Sequence, residues 1–163
     1  MPRLDELPSG AVVFLDANIV IAHFLQQSQS CTFFLERLWR QDILGVTSVL
    51  VLSEVRHGLL RAEVCATRHL PAQGAVRFLR EHPEVITTLT NTHHALAEFR
   101  QWPVRIVHLT RSQFWRACQI SRRSGLLSND ALHVGTMRAH RIRHLASADR
   151  DFDRVPNLTR WAP

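Results

Sequence analysis

The sequence predicts an α/β fold: a central parallel sheet of four to five short strands with helices on both faces, in a single domain over residues 1–163. Three observations carry that prediction. Short apolar runs such as "AVVFLD" and "HLASAD" have the length of buried strands. Longer stretches between them place apolar residues at helical spacing. No repeat, linker or low-complexity segment interrupts the alternation, which is the pattern of a parallel sheet wound with helices.

Taken in order, "AVVFLD" is a strand that stops on Asp16. "QSCTFFLERLWRQDI" aligns Phe34, Leu35, Leu38 and Trp39 as a helical face, with Ser30 as its cap. "GVTSV" is a second strand, and "LVLSEVRHGLLRAEV" a helix with Val51, Val55 and Leu59 on one face. Pro71 and Gly74 punctuate the chain before "AVRFLREH". "PEVITTLT" reads as a helix opened by Pro83 and continued through "THHALAEFRQW" to Pro103, although its β-branched content also suits a strand. "VRIVHLT" alternates as a strand. "RSQFWRACQISRRSG" is a helix closed by Gly125, and "SNDALHVGTMRAHRI" another, opened by Ser128, Asn129 or Asp130. "HLASAD" is a fourth strand and "LTRWA" a fifth.

Composition narrows the function. At 163 residues and 45% hydrophobic content the chain suits one folded core. No apolar run approaches the ~20 residues of a membrane span. The opening "MPRLDELPSG" has neither the apolar core of a signal peptide nor the character of a transit peptide, so a cytoplasmic location is expected. Cys31, Cys65 and Cys118 form no disulfide or zinc pattern and read as core thiols in a reducing compartment. The net charge is +6, and all 20 basic residues are arginine. Arginine matches phosphate through its planar fork, although a GC-rich genome would give the same bias. The absence of lysine excludes a P-loop nucleotide site. It also fits poorly with the lysine-dependent phosphatase and receiver folds that place an aspartate after a first strand.

The carboxylates supply the sharper signal. Glu36, Glu63, Glu81 and Glu98 sit among arginines and read as surface charges. Asp16 ends a buried strand, Glu54 lies in the apolar "SVLVLSEV", Asp130 opens a helix, and Asp149 and Asp151 follow the fourth strand. Singly, each could be a helix cap, a first-turn charge or a turn residue. In a parallel sheet, however, the carboxyl ends of the strands share one edge, where sites form. Two carboxylates ~4 Å apart repel by about 4 kcal/mol at an effective dielectric near 20. A hard cation such as Mg²⁺ or Mn²⁺ relieves that repulsion and suits an oxygen-lined site. Such ions serve phosphodiester hydrolysis.

Together "FLDANIVI", "SVLVLSEVRHGL", "LLSNDALHVGTMRAH" and "HLASADRDFD" resemble, in order, the PIN domain and within it the VapC-type ribonucleases of toxin–antitoxin pairs. The resemblance implies that Asp16, Glu54, Asp130 and Asp149 form an acidic quartet that is catalytic and binds one or two Mg²⁺ or Mn²⁺ ions. Asp151 is an alternative or additional fourth acid, and Asp153 is expected to face solvent. Asn18 and Ser147 are implied to orient the acids, and Arg56 and Arg150 to contact RNA or form rim salt bridges. The implied activity is metal-dependent endonucleolytic hydrolysis of RNA. The implied partners are an RNA substrate, a small cognate antitoxin (VapB-like or of another family) and a second copy of the chain in a homodimer.

His133, one helical turn after Asp130, reads as structural rather than as a ligand, and the other histidines show no zinc spacing. Trp39, Trp102 and Trp115 read as packing residues. Two further functions fit the same residues: a housekeeping RNA-processing or DNA nuclease, and an inactive binding module.

Overall fold

The computed structural model describes residues 1–163. These form two compact units, residues 1–52 with 103–163, and residues 53–102. In the first, β1 (Val12–Leu15), β2 (Leu44–Ser48), β3 (Val104–Val107), β4 (His144–Ala146) and β5 (Thr159–Trp161) make one sheet in the order β3-β2-β1-β4-β5. Every adjacent pair is parallel. The helices are α1 (Ala17–Phe24), α2 (Gln29–Trp39), α3 (Val49–Arg68), α4 (Ala75–Glu81), α5 (Pro83–Ile86), α6 (Thr90–Phe99), α7 (Arg111–Ser124) and α8 (Ser128–Ala139). No helix is long and apolar enough to cross a membrane.

The expected α/β class holds, with all five strands formed. β1 is central, so Val13, Phe14 and Leu15 are fully buried, and the strand reads as a continuous apolar run instead of an alternating one. The strand order decides where a site can form. Strands β1, β2 and β3 progress towards one edge, whereas β4 and β5 lie on the other side of β1. The direction of winding therefore reverses between β1 and β4, leaving a crevice outside their carboxyl ends.

Helices α7 and α8 lead from β3 back to β4. Thr110 and Gln113 close a reciprocal capping box at the start of α7: the Gln113 N–H donates to Thr110 Oγ1, and the Thr110 N–H to Gln113 Oε1. Gly125 ends the helix at φ 64°, the left-handed conformation that glycine adopts without steric cost. Gly135 lets α8 approach α7, since a Cβ there would lie 3.3 Å from the Gln113 carbonyl oxygen.

Several local expectations are corrected. The cap of α2 is Ser28, whose hydroxyl accepts the Cys31 N–H at 3.2 Å, and not Ser30. Helix α8 does open at Ser128, one of the three residues expected there, with Leu127 in extended geometry at the cap position before it. Trp39 and Trp115 are 56% and 59% exposed. The buried face of α7 runs through Gln113, Ala117 and Ile120, and Trp115 is rotated about 200° from Gln113 at ~100° per residue. Cys31 alone is a buried thiol, raised in pKa chiefly by burial; Cys65 is partly exposed and Cys118 exposed.

In the second unit, Leu60 and Val64 of α3 pack with Ala75, Val85 and Leu89. The helix expected to run unbroken from Pro83 is interrupted after Ile86. Thr87 and Thr88 hydroxyls bond the carbonyls of Glu84 and Val85 at 2.7 and 2.8 Å, closing the short α5 on itself. Helix α6 then restarts on a charge supplied by α3. Glu63 is buried and accepts the N–H groups of Asn91 and Thr92 at 2.9 and 2.7 Å, and the Thr92 hydroxyl at 2.7 Å. The expectation of a surface charge at Glu63 fails because this carboxylate serves as the N-terminal cap of another helix.

Candidate functional site

Asp16 is the N-cap of α1, immediately beyond the carboxyl end of β1. The pairing of Leu15 with Ala146 sets it beside Ser147, and the Asp16 N–H donates to the Ala146 carbonyl at 3.1 Å. The side chain is only 7% exposed. Its Oδ1 accepts the Ala17 N–H at 2.7 Å. Its Oδ2 accepts Asn18 Nδ2 at 2.7 Å and the Ser147 hydroxyl at 2.5 Å. These three donors aim the carboxylate.

The Ser147 hydroxyl is saturated. It donates its proton to Asp16 and accepts from Asn18 Nδ2 at 3.1 Å and from the Asp149 N–H at 3.0 Å. One donor and two lone pairs are the whole capacity of a hydroxyl. Asn18 is fixed in the same way, since its Oδ1 accepts the Ala148 N–H at 3.1 Å while both Nδ2 bonds point to acceptors. Asp16, Asn18, Ser147 and Asp149 thus form one network in the crevice between β1 and β4.

Asp149 caps the short 3-10 turn of residues 150–154 by accepting the Asp151 N–H at 2.8 Å. The Asp151 side chain instead meets Arg154 at 2.5 Å, and Arg154 also donates to the Gly125 carbonyl at 3.0 Å. Asp153 is exposed, as expected, and both its oxygens also accept from the buried Arg160 at 2.9 Å each. That pairing holds the Asp153 carboxyl below its ordinary pKa.

Asp130, partly buried, lies in the first turn of α8. Helix α8 ends at Ala139 and turns directly into β4, so it runs against the strand and its first turn belongs to the carboxyl edge. An acid there is favoured by the helix dipole. His133 follows on the same face, 2% exposed, with its ring 5.8 Å from that of Phe14. A ring nitrogen of His133 lies within 4.8 Å of an Asp16 carboxylate oxygen. Sequence reasoning set this histidine aside; its one-turn spacing from Asp130 was the available signal.

Helix α3 starts at the carboxyl end of β2, where Ser48 Oγ accepts the Val51 N–H at 3.3 Å. Glu54, half-buried, is in its second turn, past the unit boundary after Leu52. Arg56 and Arg150 are both exposed.

The donor set fits a hard divalent cation. Asp16 offers carboxylate oxygens, the ligand type Mg²⁺ and Mn²⁺ take, with a His133 ring nitrogen nearby, and no cysteine joins them to suggest a soft metal.

The sequence model of the PIN domain family matches residues 13–158. Ribonuclease VapC2 of Methanocaldococcus jannaschii is 27% identical over 150 residues, covering 90% of each chain. Among solved structures, VapBC2 from Rickettsia felis, bound to a DNA fragment from its promoter, matches with a TM-score of 0.63 at 17% identity, over 93% of this chain and 98% of that one. VapC20 of Mycobacterium tuberculosis, a toxin that cleaves the sarcin–ricin loop, matches with a TM-score of 0.59 at 21% identity, over 86% and 92%. A toxin–antitoxin complex from Klebsiella pneumoniae matches with a TM-score of 0.52 at 16% identity, over 90% and 95%.

Proposed function

The chain belongs to the PIN domain family, and from that premise we propose that it is a metal-dependent endoribonuclease, the toxin of a type II toxin–antitoxin pair. The observation that carries this reading is the buried Asp16 in the crevice between β1 and β4, bonded to Asn18 and Ser147. The VapC ribonuclease with 27% identity over 90% of the chain supports the activity, and the toxin–antitoxin structures support the partner.

In this reading Asp16, Asp130, Asp149 and Glu54 hold one or two Mg²⁺ or Mn²⁺ ions, with Asp149 the fourth acid because Arg154 occupies Asp151. A divalent ion held by these residues would supply water activation and charge neutralisation on the phosphodiester. The chain's own residues keep the acids aimed: Asn18 and Ser147 hold Asp16 Oδ2, and the Ser147 hydroxyl holds the Asp149 backbone. Arg56 and Arg150, exposed next to two of the acids in sequence, hold RNA phosphates.

The partners are an RNA substrate, a small cognate antitoxin and a second copy of the chain. The family match runs through both compact units, which supports residues 1–163 acting as a single PIN-like domain. The location is cytoplasmic. Incubation with a mixture of structured and unstructured RNAs tests the reading. Cleavage with Mn²⁺ that stops in EDTA and returns on adding Mn²⁺ supports it; cleavage indifferent to EDTA contradicts it.

A further inference from the structure

The peptide that carries Ser147 is held from behind by a residue that none of the acidic motifs includes. Arg160 lies in β5 and is 3% exposed. Its Nη1 donates to the Ser147 carbonyl at 3.0 Å, while Nε and Nη2 take the two oxygens of Asp153. On the other side, the Ser147 N–H donates to the Trp161 carbonyl at 3.1 Å.

The Ser147 carbonyl and the Ala148 N–H belong to one planar peptide unit. Arg160 holds the oxygen of that plane, and Asn18 Oδ1 holds its N–H at 3.1 Å. Fixing the plane therefore fixes both the Ser147 hydroxyl and the Asn18 amide, the two side chains on Asp16 Oδ2. A buried ion pair is a weak source of stability, because hydrophobic residues of similar volume often replace one without loss. What an apolar residue at 160 would not reproduce is the bond to the Ser147 carbonyl.

We propose that Arg160 is a positioning residue of the acidic centre, anchored by Asp153, which sets Asp16 for metal binding through the Ser147–Ala148 peptide. This inference rests on the metal-dependent reading above.

The test measures Mn²⁺ affinity and the Mn²⁺ paramagnetic resonance line shape for the full chain, Arg160→Lys, Ser147→Ala and the double variant, each checked for folding by its melting transition. Lysine keeps the charge but cannot span Ser147 and Asp153 with a planar fork. The expected result is an affinity loss of roughly 10-fold or more in each single variant, as for other partners that orient metal ligands. The double variant should be no weaker than the worse single one, because both changes act through one peptide. Wild-type affinity in folded Arg160→Lys, or multiplied losses in the double variant, would overturn the proposal. Should Arg160→Lys not fold, Asp153→Asn takes its place, with a smaller loss expected and none overturning the proposal. A wild-type chain that binds no Mn²⁺ would instead overturn the metal reading itself.

Discussion

The Ser147 hydroxyl lies 2.5 Å from Asp16 Oδ2, although 131 residues separate the two in sequence. The parallel register of β1 and β4 makes the contact, and the polar network around it accounts for every bond the hydroxyl can form. Ser147→Ala strands three partners at once: Asp16 loses a donor, and Asn18 and the Asp149 N–H lose an acceptor. Mn²⁺ affinity is expected to fall roughly 10- to 100-fold, with Ser147→Thr retaining most of it. Calorimetric titration of the two variants checks this.

Glu63 predicts a stability effect remote from the crevice. Glu63→Ala removes the acceptor of two N-terminal amides of α6 and of the Thr92 hydroxyl. The expected cost is roughly 2–4 kcal/mol, since bonds to a charged acceptor are stronger than average and buried amides would be left unsatisfied. A chain of this size should lose on the order of 5–15 °C in melting temperature. An exposed acid such as Glu36 changed to alanine serves as the control and should move it little.

Asp153 gives the acid limb of stability a specific source. Its bond to Arg160 lowers its pKa in the folded state, so the folded chain binds a proton there less readily than the unfolded chain does. The contribution is complete above the ordinary carboxylate pKa and is lost as pH falls through the lower folded value. Melting temperature should therefore decline as pH drops below about 4, and Asp153→Asn should flatten that decline. An unchanged slope in the variant would assign the acid limb to other carboxylates.

If the centre takes a divalent ion, ligand binding must stabilise the folded chain by mass action. Melting temperature is expected to rise with Mn²⁺ concentration and return to its starting value on adding EDTA. No shift across millimolar Mn²⁺ would count against the acidic centre as a metal site.

What the sequence exposed and what it concealed separate along physical lines. The strands and most helices were legible because burial imposes a period on neighbouring residues, and Asp16 stood out because it ends an apolar run. Asp16, Asn18 and Ser147 were recognisable as a set through the family's motifs, while their bonds depend on strand register. Glu63 looked like an ordinary charge and Arg160 drew no reading, because their partners, Thr92 and Ser147, lie 29 and 13 residues away. Trp115 misled for a related reason. It was read as packing because it falls in an apolar helical context, whereas the buried face runs through Gln113, a polar residue enclosed by its capping role. The break before α6 was hidden because it depends on Glu63, supplied by a different helix.

Asp16 is the residue proposed to organise metal-dependent cleavage of RNA, and that role can be measured. It is tested most directly by running the full chain and Asp16→Asn side by side on the same RNA mixture with Mn²⁺, after matching melting transitions show both are folded. The expected result is cleavage by the wild-type chain and a loss of at least two orders of magnitude in the variant, equivalent to about 2.7 kcal/mol of transition-state stabilisation or more. Equal cleavage by folded Asp16→Asn would contradict it.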